Sequence, residues 1–229
     1  PGNVTSTIEF MTIASKGDTV NFGTANTSAR AQSNQCSNST RGLFAGGYPS
    51  TNRIEYITIA SEGNSLDLGD LTVSRYAPSG CGSSTRAIWM AGAGSDANTI
   101  DYVTISTLGN AADFGDMTTG GSDGGGCSNS VRGISAGQVA SSPFSVTIEY
   151  ITLASLGDSI DFGDMTQARS GHAGAASATR ACFGGGNTGS IQNTIDYIQI
   201  MSLGDAVDFG DLTLARSQLT ACSNGHGGL

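Results

Sequence analysis

Few residues of this 229-residue chain have the side chains of a reaction centre: two histidines, His172 and His226, five cysteines, and 19 acidic residues against ten basic ones. Two histidines cannot by themselves hold the copper of an oxidase, and no His-Glu-x-x-His helix occurs. Paired carboxylates, the groups of a glycosidase, are plentiful. Thirteen of the 19 acids, however, recur at fixed intervals: Glu9, Glu55, Asp101, Glu149 and Asp196; Asp67, Asp113, Asp161 and Asp208; Asp70, Asp116, Asp164 and Asp211. A catalytic pair is needed once, so pairs in nearly every copy read as scaffolding. The Asp-x-Gly-Asp pairs also resemble oxygen donors for Ca²⁺, but without the dense ligand spacing of an EF-hand. Pairing of these acids with turns and neighbouring repeats is the preferred reading, because half-buried charge needs partners. No catalytic residue, metal or cofactor is expected, and the chain reads as non-enzymatic.

The cysteines follow the same logic. Cys36, Cys81, Cys127 and Cys222 share one repeat position, Ala175 fills it in the remaining copy, and Cys182 lies elsewhere. Interchange with Ala says that the position needs small volume rather than sulfur chemistry. With no Cys-x-x-Cys or Cys/His pair to hold zinc, free buried thiols and synthesis in a reducing cytosol are expected.

These recurrences define a repeat. One motif begins at Ile8, Ile54, Ile100, Ile148 and Ile195, at spacings of 46, 46, 48 and 47 residues. Its opening I-[ED]-[FY] segment alternates apolar and polar residues as a strand does. A glycine turn follows at Gly17, Gly63, Gly109, Gly157 and Gly204, and then a second strand of the D-F-G-D type. A run of small residues such as Ser79-Gly80-Cys81-Gly82 reads as a third strand, and the segments from Arg41, Arg86, Arg132 and Arg180, two of them ending in Gly-Gly, as a fourth. Each period of 46 to 48 residues is therefore expected to form a four-stranded antiparallel sheet. Such a unit cannot bury its faces alone, so copies must stack around an axis. The fold class expected is all-β: a β-propeller of five four-stranded blades in a single domain, residues 1–229. The ring would close by pairing the C-terminal strand near Ser217 to Ser223 with the N-terminal strands near Ile8 and Val20. One strand of that blade is then unaccounted for, which suggests a piece of a longer polypeptide with the missing strand upstream of Pro1.

Composition agrees with this class. There are 34 Gly but 4 Pro and no Gly-X-Y period, which excludes collagen, and no apolar run long enough for a membrane helix. A net charge of -9 and an isoelectric point near 4.4 argue against binding to a phosphate backbone. Eight of ten basic residues occupy two repeat positions, Arg30, Arg75, Arg169 and Arg216, then Arg41, Arg86, Arg132 and Arg180. Charges used once per repeat are architectural in this reading.

The repeat resembles the kelch type. Leu43 to Gly47, Tyr56 and Arg169-Ser170-Gly171-His172 stand where a kelch blade has its glycine pair, tyrosine and R-S-G-H segment. It departs where kelch blades carry a tryptophan, since Leu68, Phe114, Phe162 and Phe209 stand there, and where the pair Gly137-Gln138 loses its second glycine. In repeat style the chain is similar to the kelch-like proteins of tailed bacteriophages, marine ones especially. The resemblance implies a virion appendage protein (tail, fibre or decoration), made in the host cytoplasm and carried on the extracellular particle. Its implied partners are other virion proteins, or a host cell-surface receptor or glycan, with a homo-oligomer possible and no nucleic acid or membrane insertion. A glycan-binding lectin-like propeller is the alternative, and a kelch-like enzyme ranks below it.

Twelve of fifteen aromatic residues recur and read as core: Phe10, Tyr56, Tyr102, Tyr150, Tyr197, Phe22, Phe114, Phe162, Phe209, Phe44, Trp89 and Phe183. The other three, Tyr48, Tyr76 and Phe144, fall in loops that an antiparallel blade places on one face of the disc. The loops after the Gly-Gly strands also vary most in length and content. Loops carry function on a rigid scaffold, so the candidate partner-binding residues are Tyr48, Arg53, Tyr76, Asp96, Phe144 and Ile191.

Overall fold

The computed structural model describes residues 5–26, 31–139 and 144–223. Every regular element among them is a β-strand and all pairing is antiparallel, as alternating apolar positions and glycine turns require. No helix is long and apolar enough to cross a membrane among these residues. Strands β1 (Thr7–Phe10) and β2 (Val20–Thr24) form a two-stranded sheet. Sheet I holds β3 (Asn34–Ser37), β4 (Arg41–Ala45), β5 (Thr51–Thr58) and β6 (Leu66–Tyr76). Sheet II begins with β7 (Ser79–Gly82) and β8 (Arg86–Met90); β9 (Ala93–Gly94) then returns to the edge of β6, and β10 (Thr99–Thr104) and β11 (Ala112–Asp116) complete sheet II. Sheet III is β12 (Gly125–Ser128), β13 (Arg132–Ala136), β14 (Thr147–Thr152) and β15 (Ile160–Asp164). Sheet IV is β16 (Ala173–Ala176), β17 (Arg180–Gly184), β18 (Thr194–Gln199) and β19 (Val207–Asp211).

Each full sheet opens on its small-residue strand, so the sequence period counted from the I-[ED]-[FY] strand straddles two sheets. The short turn explains the phase: Asn38 Oδ1 accepts from the N–H groups of Thr40 and Arg41 at 2.9 and 2.8 Å, tying β3 to β4 as a hairpin. Asn129 does the same between β12 and β13. Sheet I also gains a fifth strand in β9.

The small-residue strands lie side by side, β7 between β3 and β12, and β12 between β7 and β16. Side-chain size is excluded there by the neighbouring backbone. A Cβ on Gly174 would stand 2.8 Å from the carbonyl oxygen of Gly126. Where each sheet meets the next, a D-F-G glycine lies against the turn glycine of the following sheet, and a hydrogen bond joins them. Gly63 donates to Phe22, Gly109 to Leu68 and Gly157 to Phe114, each at 2.8 Å, and Gly204 to Phe162 at 2.9 Å. The core is divided among these junctions: one cluster joins Leu43, Tyr56 and Leu68 of sheet I to Trp89 and Ile105 of sheet II, and two more follow around the molecule. The architecture is thus all-β and propeller-like.

The sheets do not close into a ring among the described residues. A bond from Gly17 to Phe209 would be the fifth of the series, yet no atom lies within 4 Å of a Cβ built on Gly210, whereas one built on Gly69, Gly115 or Gly163 would stand 2.4 to 2.6 Å from the next turn glycine. Phe209 is consequently 56% exposed, whereas Phe162 is 2% exposed. This corrects the reading of Phe209 as core, and Phe10 is likewise exposed, because the sheet that would cover each is not against it. The segment from Ser217 to Ser223, expected as a strand, has no ladder pairing; it is held by single bonds, Gln218 N–H to Gly171 at 2.8 Å and Ser223 Oγ to Ala176 at 2.5 Å. Pro1, Arg30 and His226 lie outside the described residues.

Candidate functional site

The recurring charges build the junctions. Arg75 and Asp101 form a fully buried ion pair at 2.8 Å, and Arg169 and Asp196 repeat it at 3.1 Å. Arg75 also donates to the carbonyls of Thr99 and Trp89, and Thr72 Oγ1 donates to Asp101 at 2.6 Å. The second arginine series stacks on the recurring tyrosines: Arg41, Arg86, Arg132 and Arg180 lie 4.3 to 5.1 Å from the rings of Tyr56, Tyr102, Tyr150 and Tyr197. Three of them reach the next sheet, donating to the carbonyls of Ile105, Leu153 and Ile200 at 2.6 to 2.8 Å. The D-F-G acids Asp113, Asp161 and Asp208 each accept the N–H of the glycine two residues on, at 2.9 to 3.2 Å. No group of three or more His, Cys, Asp or Glu poised for a metal occurs among the described residues.

One junction departs from this plan. Gly121 stands where Arg75 and Arg169 stand in the other sheets, leaving Glu149 without that cation; its carboxylate accepts instead from Thr118 Oγ1 and from the N–H of Thr119. Burial pushes Glu149 up from 4.5 to about 7, against the lowering effect of these hydrogen bonds. The same sheet has Gln138 in place of the second glycine of the pair. The two changes compensate, since a Cβ on Gly92 would lie 3.1 Å from Arg75 Cδ, and one on Gly186 3.3 Å from Arg169 Cδ. The glycine leaves room for the arginine, and where the arginine is absent Gln138 occupies the space, donating to Ser135 Oγ at 3.0 Å.

A polar mouth opens where the small-residue strands begin. Gln32, Ala77, Asp123 and Gln218 all adopt φ between 52 and 59°, with Gly171 at 63° in the same series. Their backbones link in a collar: Ala77 N–H to Gln32, Asp123 to Ala77, Gly171 to Asp123 and Gln218 to Gly171, at 2.7 to 3.0 Å. A cavity of about 410 Å³ at the collar is lined by Gln32, Asn34, Asp123, His172 and Gln218, among others. The imidazole of His172 is buried, packs edge-on against Phe183 and accepts the Gly125 N–H through Nε2 at 3.2 Å. Burial and the nearby Arg169 lower its pKa to about 3, which makes it a poor proton acceptor near neutral pH.

Tyr48 and Tyr76 meet beside this mouth, their rings 5.4 Å apart and edge-to-face. Tyr48 is 57% exposed, and its backbone is fixed by paired bonds with Ala31. The other candidates are spread around the molecule. Arg53 lies within β5, paired with Asp67 at 2.7 Å, so it is part of a strand rather than a loop. Asp96 is exposed in the loop after β9, Phe144 is half-buried ahead of β14, and Ile191 is exposed ahead of β18. The collar residues escaped sequence reasoning because their shared feature is a backbone angle carried by four different residue types. Their only signal was position, four residues before each Cys or Ala of the small-residue strand.

The chain matches no protein-family model and no curated protein. Function must therefore be argued from the face just described.

Among the thiols, Cys36, Cys81 and Cys127 are buried, as expected, with burial pushing Cys36 and Cys127 to about 12. Cys182 is half-buried and Cys222 exposed, which corrects that expectation: among the described residues no further sheet lies against sheet IV beyond β17's Cys182, and Cys222 sits in a segment without ladder pairing.

Proposed function

We propose that the protein is a non-catalytic interaction module, a five-bladed kelch-like propeller of a phage virion appendage, which binds a virion protein or a host surface through the face carrying Tyr48 and Tyr76. The observation that carries the reading is a contrast. The recurring arginines Arg41, Arg75, Arg86, Arg132, Arg169 and Arg180 are engaged inside or between sheets, whereas Tyr48, packed on the half-buried Tyr76 and held on a pinned backbone, is left exposed beside a polar mouth. Exposed, rigid aromatic pairs are the usual anchors of protein interfaces. The two-stranded N-terminal sheet supplies part of the fifth blade, and closure would bring Gly17 against Gly210 as in the other four junctions.

Two measurements test this. Nitroxides on Asp18→Cys and Asp211→Cys, in a Cys222→Ser background, should give a short interspin distance if the ring closes; a long, broad distribution refutes five blades. Fluorescently labelled protein should bind bacterial cells or purified virion tails, and Tyr48→Ala or Tyr76→Ala should weaken that binding about tenfold, equivalent to about 1.4 kcal/mol. Wild-type affinity in both variants refutes the assigned face.

A further inference from the structure

We propose that the face opposite Tyr48 and Tyr76 docks against the same face of a second copy of this chain, forming a two-fold dimer. The inference takes its geometry from the five-bladed reading and is independent of any virion role. Strands alternate in direction, so the turns that follow β1, β5, β10, β14 and β18 all fall on that face. The residue before the glycine of each turn is Lys16, Glu62, Leu108, Leu156 and Leu203, in chain order. The turn itself does not ask for leucine, since Lys16 and Glu62 serve the same local fold. Yet leucine fills the position in three successive sheets, and these leucines, with Met201 beside Leu203, are 54 to 62% exposed. Val131, also exposed, stands in the turn between β12 and β13 where Thr40, Thr85 and Thr179 stand in the other sheets. Its carbonyl accepts the Leu153 N–H at 2.9 Å, which places it at the end of β14, on the same face as Leu156. Exposed apolar side chains gathered on one face mark an interaction surface.

The order of these residues says what the opposing surface is. In a five-bladed ring they stand at the corners of a pentagon. A two-fold axis lying in the face and passing through the Leu156 corner exchanges Lys16 with Glu62 and Leu108 with Leu203. Each copy then sets its Lys16 against the Glu62 of the other and packs leucine on leucine elsewhere. Val131 shares sheet III with Leu156, so the one valine that replaces threonine lies near the axis, where it meets its own copy. Every other in-plane axis through a corner sets a charge against a leucine. A surface complementary to itself is what an isologous interface requires. Charge permits the contact as well. The net charge of -9 drives copies apart, but the acids at this face, Asp18, Glu62, Asp158 and Asp205, are matched by Lys16 and by the arginines that open β4, β8, β13 and β17. The excess of acid lies elsewhere in the chain, so opposite charges meet here without a net repulsion to overcome.

The test is the mass of the full 229-residue chain by sedimentation equilibrium across micromolar concentrations. A reversible dimer of twice 23.1 kDa is expected. Leu156→Asp sets two carboxylates face to face at the axis and should weaken association at least about a hundredfold, with the thermal melt of the monomer unchanged because the residue is exposed. Lys16→Glu or Glu62→Lys alone should weaken it about tenfold. The two together should restore it, because the axis again faces each acid with a base. A monomer at every concentration overturns the proposal, as do a dimer indifferent to Leu156→Asp and a charge exchange that fails to rescue. The interspin distance between residues 18 and 211, taken in the Leu156→Asp variant, separates this reading from the ring: close labels beside a monomeric wild type refute the dimer alone, and distant labels refute the ring and with it the pairing of corners.

Discussion

The exchange of arginine for Gly121 should make the junction between sheets II and III sensitive to pH. Glu149 is held at about 7 in the folded protein against 4.5 ordinarily. Its folded pKa lies above the unfolded one, so the folded state holds more protons between those values. The resulting penalty is absent below pH 4.5, grows through the window and is complete above about pH 7. The full shift corresponds to about 3 kcal/mol as an upper bound, and allowing for screening by solvent the expected loss is about 1.5 kcal/mol. For a chain of this length that amounts to a fall in Tm of about 3–6 °C. The perturbation is Glu149→Gln, which keeps an acceptor for Thr118 and Thr119 but cannot ionise. Calorimetric melts of both proteins from pH 4.5 to 8 should give curves that diverge with pH, the variant gaining by that amount and the gap levelling above pH 7.5. Restoring the repeat should act likewise. Gly121→Arg alone overpacks against Gln138 and should cost about 1–3 kcal/mol, whereas adding Gln138→Gly should recover it and flatten the pH dependence, a coupling that a double-mutant cycle measures. Parallel curves for wild type and Glu149→Gln throughout the window would refute the assignment.

Asp101→Ala leaves the Arg75 guanidinium buried without its counter-ion and should destabilise the protein by about 3–5 kcal/mol in chemical denaturation, far more than Arg53→Ala at its solvent-exposed pair, expected to cost under about 1 kcal/mol. Gly69→Ala drives a methyl group into the carbonyl of Gly109 and should cost more than about 2 kcal/mol; if the ring closes as proposed, Gly210→Ala, at a similar φ, should cost as much, and a clearly smaller cost in denaturant unfolding refutes closure. In a thiol-labelling time course under native conditions Cys222 should react first, and Cys36, Cys81 and Cys127 only upon unfolding. Fast native labelling of the buried three would contradict the packing of the small-residue strands.

The sequence by itself determined most of the strands, their antiparallel character and the architectural use of most recurring charges, because each is a local or periodic property: alternation makes a strand, glycine makes its turn, and a charge repeated once per sheet meets the same partner wherever that partner is also repeated. It also pointed to Tyr48 and Tyr76 by their failure to recur. The grouping of strands into sheets, the collar of left-handed residues and the compensation between Gly121 and Gln138 were decided only in three dimensions. Each depends on which backbone comes to lie beside which other across some 16 to 50 residues of chain, and residue type records that only as permission, a glycine where a neighbour passes close. The same holds for the open seam. Phe10 and Phe209 have the residue types of core, and whether they are core depends on a neighbouring sheet rather than on their own sequence.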